Sequence, residues 1–309
     1  MHIEEHIGHS HNDHQTSARL LLSVFLNALI TVVEITGGIF SNSLALISDA
    51  IHNLSDTLAL ILAWLAHKMS GKKPDTRRTF GYQRVEILSA FVNTSVLTAI
   101  SIYLIYNAII RILNPEPVKA GLMFIVAGIG LLFNLASVFF LHHDSKSSLN
   151  IKAAYLHLLG DTFSSFAVLV GAVLIYYIHI NWIDPALTFL ISIIIIFQAY
   201  KILRQSVEIL MQSTPSRLDL KEIKDAIEAH PLIRNVHHVH CWQLQDHDVL
   251  YEAHIDATKD MTLSESNHLR DEIETLLKER FRITHTTLQI EFACCDDTDM
   301  IKQPRNGKS

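Results

Sequence analysis

Residues 44–65 read LALISDAIHNLSDTLALILAWL, a stretch that is apolar enough to cross a bilayer yet carries two acids and a histidine. Asp49, His52 and Asp56 are spaced three and four residues apart, so a helix places all three on one face. An ionisable side chain at the centre of a span costs roughly 2.5–3.5 kcal/mol on insertion scales. Such residues are therefore candidates for function.

Five other apolar stretches have the length of a membrane span, which needs about 20 residues. Together with residues 44–65 they predict six transmembrane helices in an all-α membrane domain over residues 17–206. The predicted spans are residues 20–39, 44–65, 85–110, 122–141, 152–178 and 186–203. The composition agrees, because 49% of the residues are hydrophobic and 18% are charged. The sequence thus predicts an integral membrane protein surrounded by lipid.

Lysine and arginine are distributed unevenly between the loops that join these spans. The loop at residues 67–84 carries one acid and six basic residues, which are Lys68, Lys72, Lys73, Arg77, Arg78 and Arg84. Loops on the opposite side carry few, so the positive-inside rule predicts that both termini are cytosolic. The net charge is −6, and we find no basic patch of the kind that binds nucleic acid. Nucleic acid is therefore not an expected partner.

Residues 207–295 have the pattern of a small soluble α/β domain. The predicted elements are a helix at 218–229, strands at 236–244 and 249–257, a helix at 263–281 and a strand at 286–292. This αββαβ order predicts an open, ferredoxin-like sandwich. The three cysteines make no disulfide framework, which favours a cytosolic domain. Residues 1–16 are expected to form a His-rich cytosolic tail, and residues 296–309 a disordered one.

The fifth predicted span holds His157 and Asp161, four residues apart like His52 and Asp56. Two helices that face each other would then offer two imidazole nitrogens and two carboxylate oxygens, a tetrahedral set that suits Zn²⁺. Two ionised carboxylates carry a charge that a dication cancels, whereas without metal the site would favour protonation. Metal and protons should therefore compete for the same ligands, which is the physical basis of metal/proton antiport.

Other interpretations of these residues remain open. A single His-x-x-x-Asp pair is ambiguous, because a histidine in a span can simply hydrogen-bond a neighbouring helix. Asp49 is either a ligand or an acceptor that orients His52. A membrane metalloenzyme would need an open coordination position and a base, and no His-Glu-x-x-His motif occurs, so we do not expect an enzyme. A membrane-anchored metal sensor would not need ionisable ligands in two spans.

Ser48-Asp-Ala-Ile-His-Asn-Leu-Ser-Asp56, His157-Leu-Leu-Gly-Asp161, the six spans and the α/β tail resemble the cation diffusion facilitator family. The resemblance implies a homodimer that exports Zn²⁺, and also Cd²⁺ or Co²⁺, from the cytosol in exchange for protons. It implies that His52, Asp56, His157 and Asp161 form the transport site, with His52 typical of the zinc-preferring branch. It also implies a location in the bacterial cytoplasmic membrane.

The same resemblance implies a regulatory zinc site in the tail, with His237, His254 and Glu291 as ligands. The alternative is that these are polar residues on solvated strand faces. His240 should lie on the opposite face from His237, because side chains alternate along a strand. Metal binding by Cys294-Cys295 and by the N-terminal histidines stays open. The loop at residues 77–82 lacks the histidines that bind metal there in some family members, so no such site is expected.

Overall fold

The computed structural model describes residues 25, 27–142, 149–245, 248–293 and 299–301. These divide into two compact units, residues 1–64 with 90–203 and residues 65–89 with 204–309. The helices of the first unit, some of which continue into the second, are α1 Asn27–Ser41, α2 Leu44–Ser70, α3 Val85–Leu113, α4 Ala120–His142, α5 Leu149–Ile178 and α6 Ile183–Leu210.

Five helices in the described part of the chain, α2 to α6, are long and apolar enough to cross a membrane. The first predicted span, residues 20–39, begins outside the described residues, and residues 27–39 of it lie in the shorter apolar helix α1. The His-rich N-terminus and Cys294-Cys295 also lie outside them. The prediction of membrane-spanning helices is therefore confirmed for five of the six stretches.

The membrane helices bury polar side chains and expose large apolar ones. Phe139, Phe163 and Phe197 are 71–79% exposed, as expected for side chains in contact with hydrocarbon rather than water. The buried polar side chains include Asp49, Asn53, Asn134, Asp161 and Ser165. The interior of this unit can therefore hold an ion, which an all-apolar core could not.

The amino end of α2 is held by a carboxylate from another helix. Asp184, in the first turn of α6, is fully buried and accepts hydrogen bonds from Ser43 Oγ at 2.5 Å, Leu44 N at 2.8 Å and Ala45 N at 3.2 Å. The first amide groups of a helix have no partner within the helix and need such an acceptor. Asp184 thereby fixes where α2, which carries His52 and Asp56, begins.

The tail contains α7 Leu220–Glu228, β1 Ile233–Gln243, β2 Val249–Ala257, α8 Leu263–Phe281 and β3 His285–Glu291, in the order that the sequence predicts. The strands form one sheet in the order β1-β2-β3, with β1 antiparallel and β3 parallel to β2. A core of apolar side chains from both helices packs on the sheet; it includes Ile223, Ile227, Val236, Tyr251, Leu269 and Leu277. The tail therefore has its own hydrophobic core.

Strand β1 is irregular in its middle. His237 pairs with His254 and His240 pairs with Glu252, so β1 has one residue more than β2 between these pairs. His238 takes up this extra residue with a φ of 49°, in the left-handed region. A bulge of this kind re-aims the side chains beside it. Simple alternation therefore fails at the point where the histidines of β1 lie.

Candidate metal centres

The structure brings His52, Asp56, His157 and Asp161 together between α2 and α5; we call these four residues the intramembrane cluster. One ligand atom from each lies within 4.8 Å of all the others. The two pairs meet because residues four apart lie on one face of a helix, and these faces of α2 and α5 are turned towards each other. The structure thus brings together the four residues that the sequence predicts as ligands.

The distances within the intramembrane cluster fit a tetrahedral metal. His157 Nε2 lies 2.9 Å from Asp56 Oδ2 and 3.8 Å from Asp161 Oδ2. His52 Nε2 lies 3.4 Å from Asp161 Oδ1 and 3.6 Å from Asp56 Oδ2. Ligands about 2.1 Å from a tetrahedral Zn²⁺ are roughly 3.4 Å apart. Small side-chain adjustments would therefore let the four atoms coordinate one ion.

Burial differs across the intramembrane cluster. The side chains of Asp161 and His52 are 4% and 12% exposed, whereas those of Asp56 and His157 are 26% and 46% exposed. Two of the four side chains therefore lie deep between the helices, and two lie nearer the open side. An ion could reach the outer pair first and then gain the inner pair, losing its water in steps.

Asp49 lies beside the intramembrane cluster but has other partners. Its two carboxylate oxygens accept hydrogen bonds from Ser164 Oγ at 2.6 Å and Ser165 Oγ at 2.9 Å. Ser165 in turn accepts from Asn134 Nδ2 on α4 at 3.0 Å. Asp49 thus links α2 to α5, next to the cluster residues that these helices carry. The two serines were not among the predicted site residues, because one hydroxyl in a helix carries no distinctive signal.

A further buried acid, Glu34 of α1, lies in the same unit. Glu34 is 1% exposed, and its Oε2 accepts a hydrogen bond from Asn53 Nδ2 at 2.9 Å. A Cβ at Gly130 of α4 would clash with Glu34 Oε1, so any larger residue there would require the carboxylate to move. Asn53 follows His52 directly, and Glu34 is thus one hydrogen bond away from the part of α2 that carries a predicted ligand.

A second group forms on the sheet of the tail, where His237, His238, His254 and Glu291 meet; we call it the tail cluster. One nitrogen from each histidine lies within 4.8 Å of the other two. Glu291 Oε1 lies 2.7 Å from His254 Nδ1, and Glu291 Oε2 lies 3.6 Å from His237 Nε2. The three residues predicted from the sequence are thus together, with His238 as an addition.

The local environment keeps His237 suited to metal binding. The side chain is 1% exposed, and burial lowers the pKa of its imidazole, while the nearby charge of Glu291 opposes that change. A neutral imidazole has the lone pair that a metal needs. His238 was missed because alternation places it on the other face; the bulge brings its ring to 4.9 Å from that of His254, between centroids. His240 is exposed and lies outside the tail cluster.

The fold and these two groups define a membrane protein with one cluster of candidate metal ligands between its helices and another in its cytosolic domain. Comparison with known families agrees. The model of the cation efflux transmembrane domain matches residues 20–211, and that of the cation efflux protein cytoplasmic domain matches residues 215–293. The chain therefore belongs to the cation efflux family, also called cation diffusion facilitators.

Curated relatives align over almost the whole chain. The zinc transporter ZitB of Pectobacterium atrosepticum is 37% identical over 94% of this chain and 90% of its own length. The cadmium, cobalt and zinc/H(+)-K(+) antiporter of Bacillus subtilis is 35% identical over 98% of both chains. The metal cation efflux system protein CzcD of Cupriavidus metallidurans is 35% identical over 94% of this chain and 92% of its own.

Proposed function

We propose that the protein exports Zn²⁺, and also Cd²⁺ or Co²⁺, from the cytosol in exchange for protons, with the intramembrane cluster as the transport site. The observation that carries this proposal is the meeting of two His-x-x-x-Asp pairs between α2 and α5, with ligand atoms within 4.8 Å of one another. Names of relatives support the choice of metals, since they include a zinc transporter and a cadmium, cobalt and zinc antiporter.

A short contact within the intramembrane cluster supports the proposed proton coupling. His157 Nε2 and Asp56 Oδ2 are 2.9 Å apart, which is a hydrogen-bond distance, so a proton can be shared between them when no metal is bound. A metal ion needs a lone pair from each atom, so protons that neutralise the two carboxylates in the absence of metal leave the site when the metal binds. Metal entry is then coupled to proton release, and a proton gradient can drive metal out of the cytosol.

The tail cluster serves a different purpose in this proposal. It lies on a soluble domain, where the membrane potential does not act, so its ion would regulate rather than be transported. Zn²⁺ held by both β1 and β3 would cross-link the sheet through β2 and favour one arrangement of the tail. Transport would then respond to the cytosolic metal concentration.

The proposal also includes the number of membrane helices, their orientation, the oligomeric state and the fold of the tail. The protein has six membrane helices with both termini in the cytosol, acts as a homodimer in the bacterial cytoplasmic membrane, and has a ferredoxin-like tail. The lysine and arginine distribution supports the orientation. The match to a family model for the cytoplasmic domain supports the placement of the tail.

Metal-driven proton movement in proteoliposomes tests the function. Vesicles with wild-type protein should take up Zn²⁺ when a pH gradient is applied and should release protons in the opposite direction. Asp161→Asn keeps the size of the buried side chain but removes its charge, and flux should fall to the level of protein-free vesicles. Glu86→Gln removes an exposed carboxylate in the first turn of α3 and should leave flux unchanged. Wild-type flux from Asp161→Asn would exclude the intramembrane cluster as the transport site.

A further inference from the structure

The loop between α2 and α3, residues 71–84, concentrates positive charge at one end of two membrane helices. Ten consecutive residues of it, 71–80, are exposed. Its one acid is Asp75, and its basic residues are Lys72, Lys73, Arg77, Arg78 and Arg84. The whole chain has a net charge of −6, so this loop is a local exception. Because it joins two spanning helices over a short distance, it lies at the surface of the bilayer.

Asp75 shapes the loop. Its Oδ1 accepts hydrogen bonds from the backbone amides of Arg77 and Arg78, both at 2.7 Å. The backbone of Asp75 also pairs with that of Arg78 in both directions, at 3.1 and 3.2 Å. The carboxylate is thus engaged by backbone amides, and the loop has no second acid to pair with its guanidinium groups.

Two basic side chains lie close to the ring of Tyr82. Arg78 Cζ lies 4.6 Å from the centroid of the Tyr82 ring, and Arg78 Nη1 donates to the Tyr82 hydroxyl at 3.0 Å. Lys72 Nζ lies 5.7 Å from the same centroid. Gly81 makes the turn before Tyr82 with a φ of 70°. Two cations that would otherwise repel each other are therefore held around one aromatic ring.

A cavity of about 500 Å³ opens beside this arrangement, within the unit that contains the loop and the tail. Arg77, Arg78 and Arg84 line its basic part. Apolar and aromatic side chains line the rest, among them Phe80, Leu88, Leu210 and Trp242. Arg84 is also the one cavity-lining arginine in the described part of the chain whose Nε is buried without a hydrogen-bond partner.

We propose that this cavity binds the phosphate headgroup of an anionic phospholipid from the adjacent leaflet. Guanidinium groups bind phosphate oxygens through paired, charge-assisted hydrogen bonds. Basic clusters next to a membrane helix recognise anionic lipids in this way. The apolar wall suits the glycerol and upper acyl region, which a free phosphate ion lacks. If the basic residues served only to set the membrane topology, their charges alone would be enough. The cavity, with an arginine Nε that has no hydrogen-bond partner in the described part of the chain, would not be needed.

Trp242 provides the measurement, because it lines the cavity. The other two tryptophans, Trp64 on α2 and Trp182 just before α6, are exposed and can be replaced in a Trp64→Phe/Trp182→Phe background. Full-length protein in a zwitterionic detergent is titrated with dioctanoyl phosphatidylglycerol, dioctanoyl phosphatidylcholine and inorganic phosphate. We expect a saturable change in Trp242 emission with phosphatidylglycerol, none with phosphatidylcholine and a much weaker response to phosphate.

Variants that keep the charge distinguish lipid binding in the cavity from a general attraction of anionic lipid to the basic loop. Arg77→Lys/Arg84→Lys keeps the charge but loses the planar fork, so affinity for phosphatidylglycerol should fall about tenfold or more. The matched control, Arg234→Lys/Arg270→Lys, changes two exposed arginines that pair with acids of the tail, and should bind as the wild type does. Thermal unfolding of each variant without lipid checks that it is folded. Arg84→Lys alone is a smaller change that can replace the double variant if the latter does not fold.

Three results would overturn the proposal. Equal responses to phosphate and phosphatidylglycerol would make the cavity a site for free phosphate. No response to phosphatidylglycerol would leave the cavity without this ligand. Unchanged affinity in folded Arg77→Lys/Arg84→Lys would mean that the net charge of the loop, and not the cavity, attracts the lipid.

Discussion

His157 Nε2 of α5 lies 2.9 Å from Asp56 Oδ2 of α2, the shortest of the four histidine–carboxylate distances in the intramembrane cluster. It is also the contact between the two more exposed members. In the proposed transport cycle, an incoming metal ion meets this contact first. This relationship makes the stoichiometry of proton release a direct probe of the cluster.

Proton release on metal binding should depend on this pair. We expect wild-type protein in detergent to release protons when Zn²⁺ binds, and Zn²⁺ affinity to fall as the pH is lowered. In Asp56→Ala the contact is lost, so both the affinity and the number of protons released should fall. Isothermal titration calorimetry in buffers of different ionisation enthalpy measures this number. An unchanged proton count in Asp56→Ala would place the exchanged proton elsewhere.

Metal selectivity should change in His52→Asp. The substitution replaces a neutral nitrogen by a charged oxygen, so the cluster becomes more anionic and its ligand set becomes harder in the acid–base sense. Discrimination against Mn²⁺ should weaken, because oxygen ligands suit that ion. Competitive uptake of Zn²⁺ and Mn²⁺ into proteoliposomes gives the ratio. His240→Asp, at an exposed position outside both clusters, is the control, and an unchanged ratio in His52→Asp would argue against His52 as a ligand.

The intramembrane cluster was predictable because helix geometry is nearly invariant. A spacing of four residues fixes which side chains share a face, and the cost of burying ionisable groups in a membrane indicates that such faces point inward. The tail helices and strands were predictable from periodicity for the same reason. Their order is confirmed, although β1 begins at Ile233 rather than residue 236.

Two other features depend on information that local pattern does not contain. His238 joins the tail cluster through a bulge, and alternation assumes that a strand has none. Asp184 caps a helix 140 residues earlier in the chain, so only the packing of α6 against α2 reveals its role. The role of the Asp184 carboxylate and the bulge in β1 both depend on tertiary structure, which cannot be predicted from a pattern of neighbouring residues.

Removal of the Asp184 carboxylate should destabilise the membrane domain. Asp184→Ala leaves the buried Ser43 hydroxyl and the amides of Leu44 and Ala45 without their acceptor, which costs about 1–3 kcal/mol for each buried group left unpaired. Asp184→Asn keeps one acceptor oxygen and should lose less. Thermal unfolding in detergent ranks the variants. Asn107→Ala, on the exposed face of α3, is the control, and equal stability of Asp184→Ala and wild type would refute the cap.

Cys241 should stay unreactive while the tail is folded. The side chain is buried, and burial raises the pKa of its thiol to about 11, so the reactive thiolate is scarce at neutral pH. The unfolded chain ionises first as the pH rises, so this residue's contribution to stability is lost from about pH 8.5 upwards. In a Cys294→Ser/Cys295→Ser background, a thiol reagent at pH 7.5 should label Cys241 only after urea is added. Rapid labelling of folded protein would contradict its burial.

The tail cluster should bind Zn²⁺ through four residues rather than three. The tail has its own core, so residues 207–301 can be studied as a fragment. Zn²⁺ should raise its unfolding temperature, and His237→Ala/His254→Ala should abolish the increase. His238→Ala should reduce it, because the bulge brings this ring to the other two, whereas His240→Ala should not. In the full-length protein the double variant should still transport at saturating Zn²⁺, with a shifted concentration dependence. Complete loss of flux from a folded double variant would place the tail cluster on the transport path, and the regulatory role would be wrong.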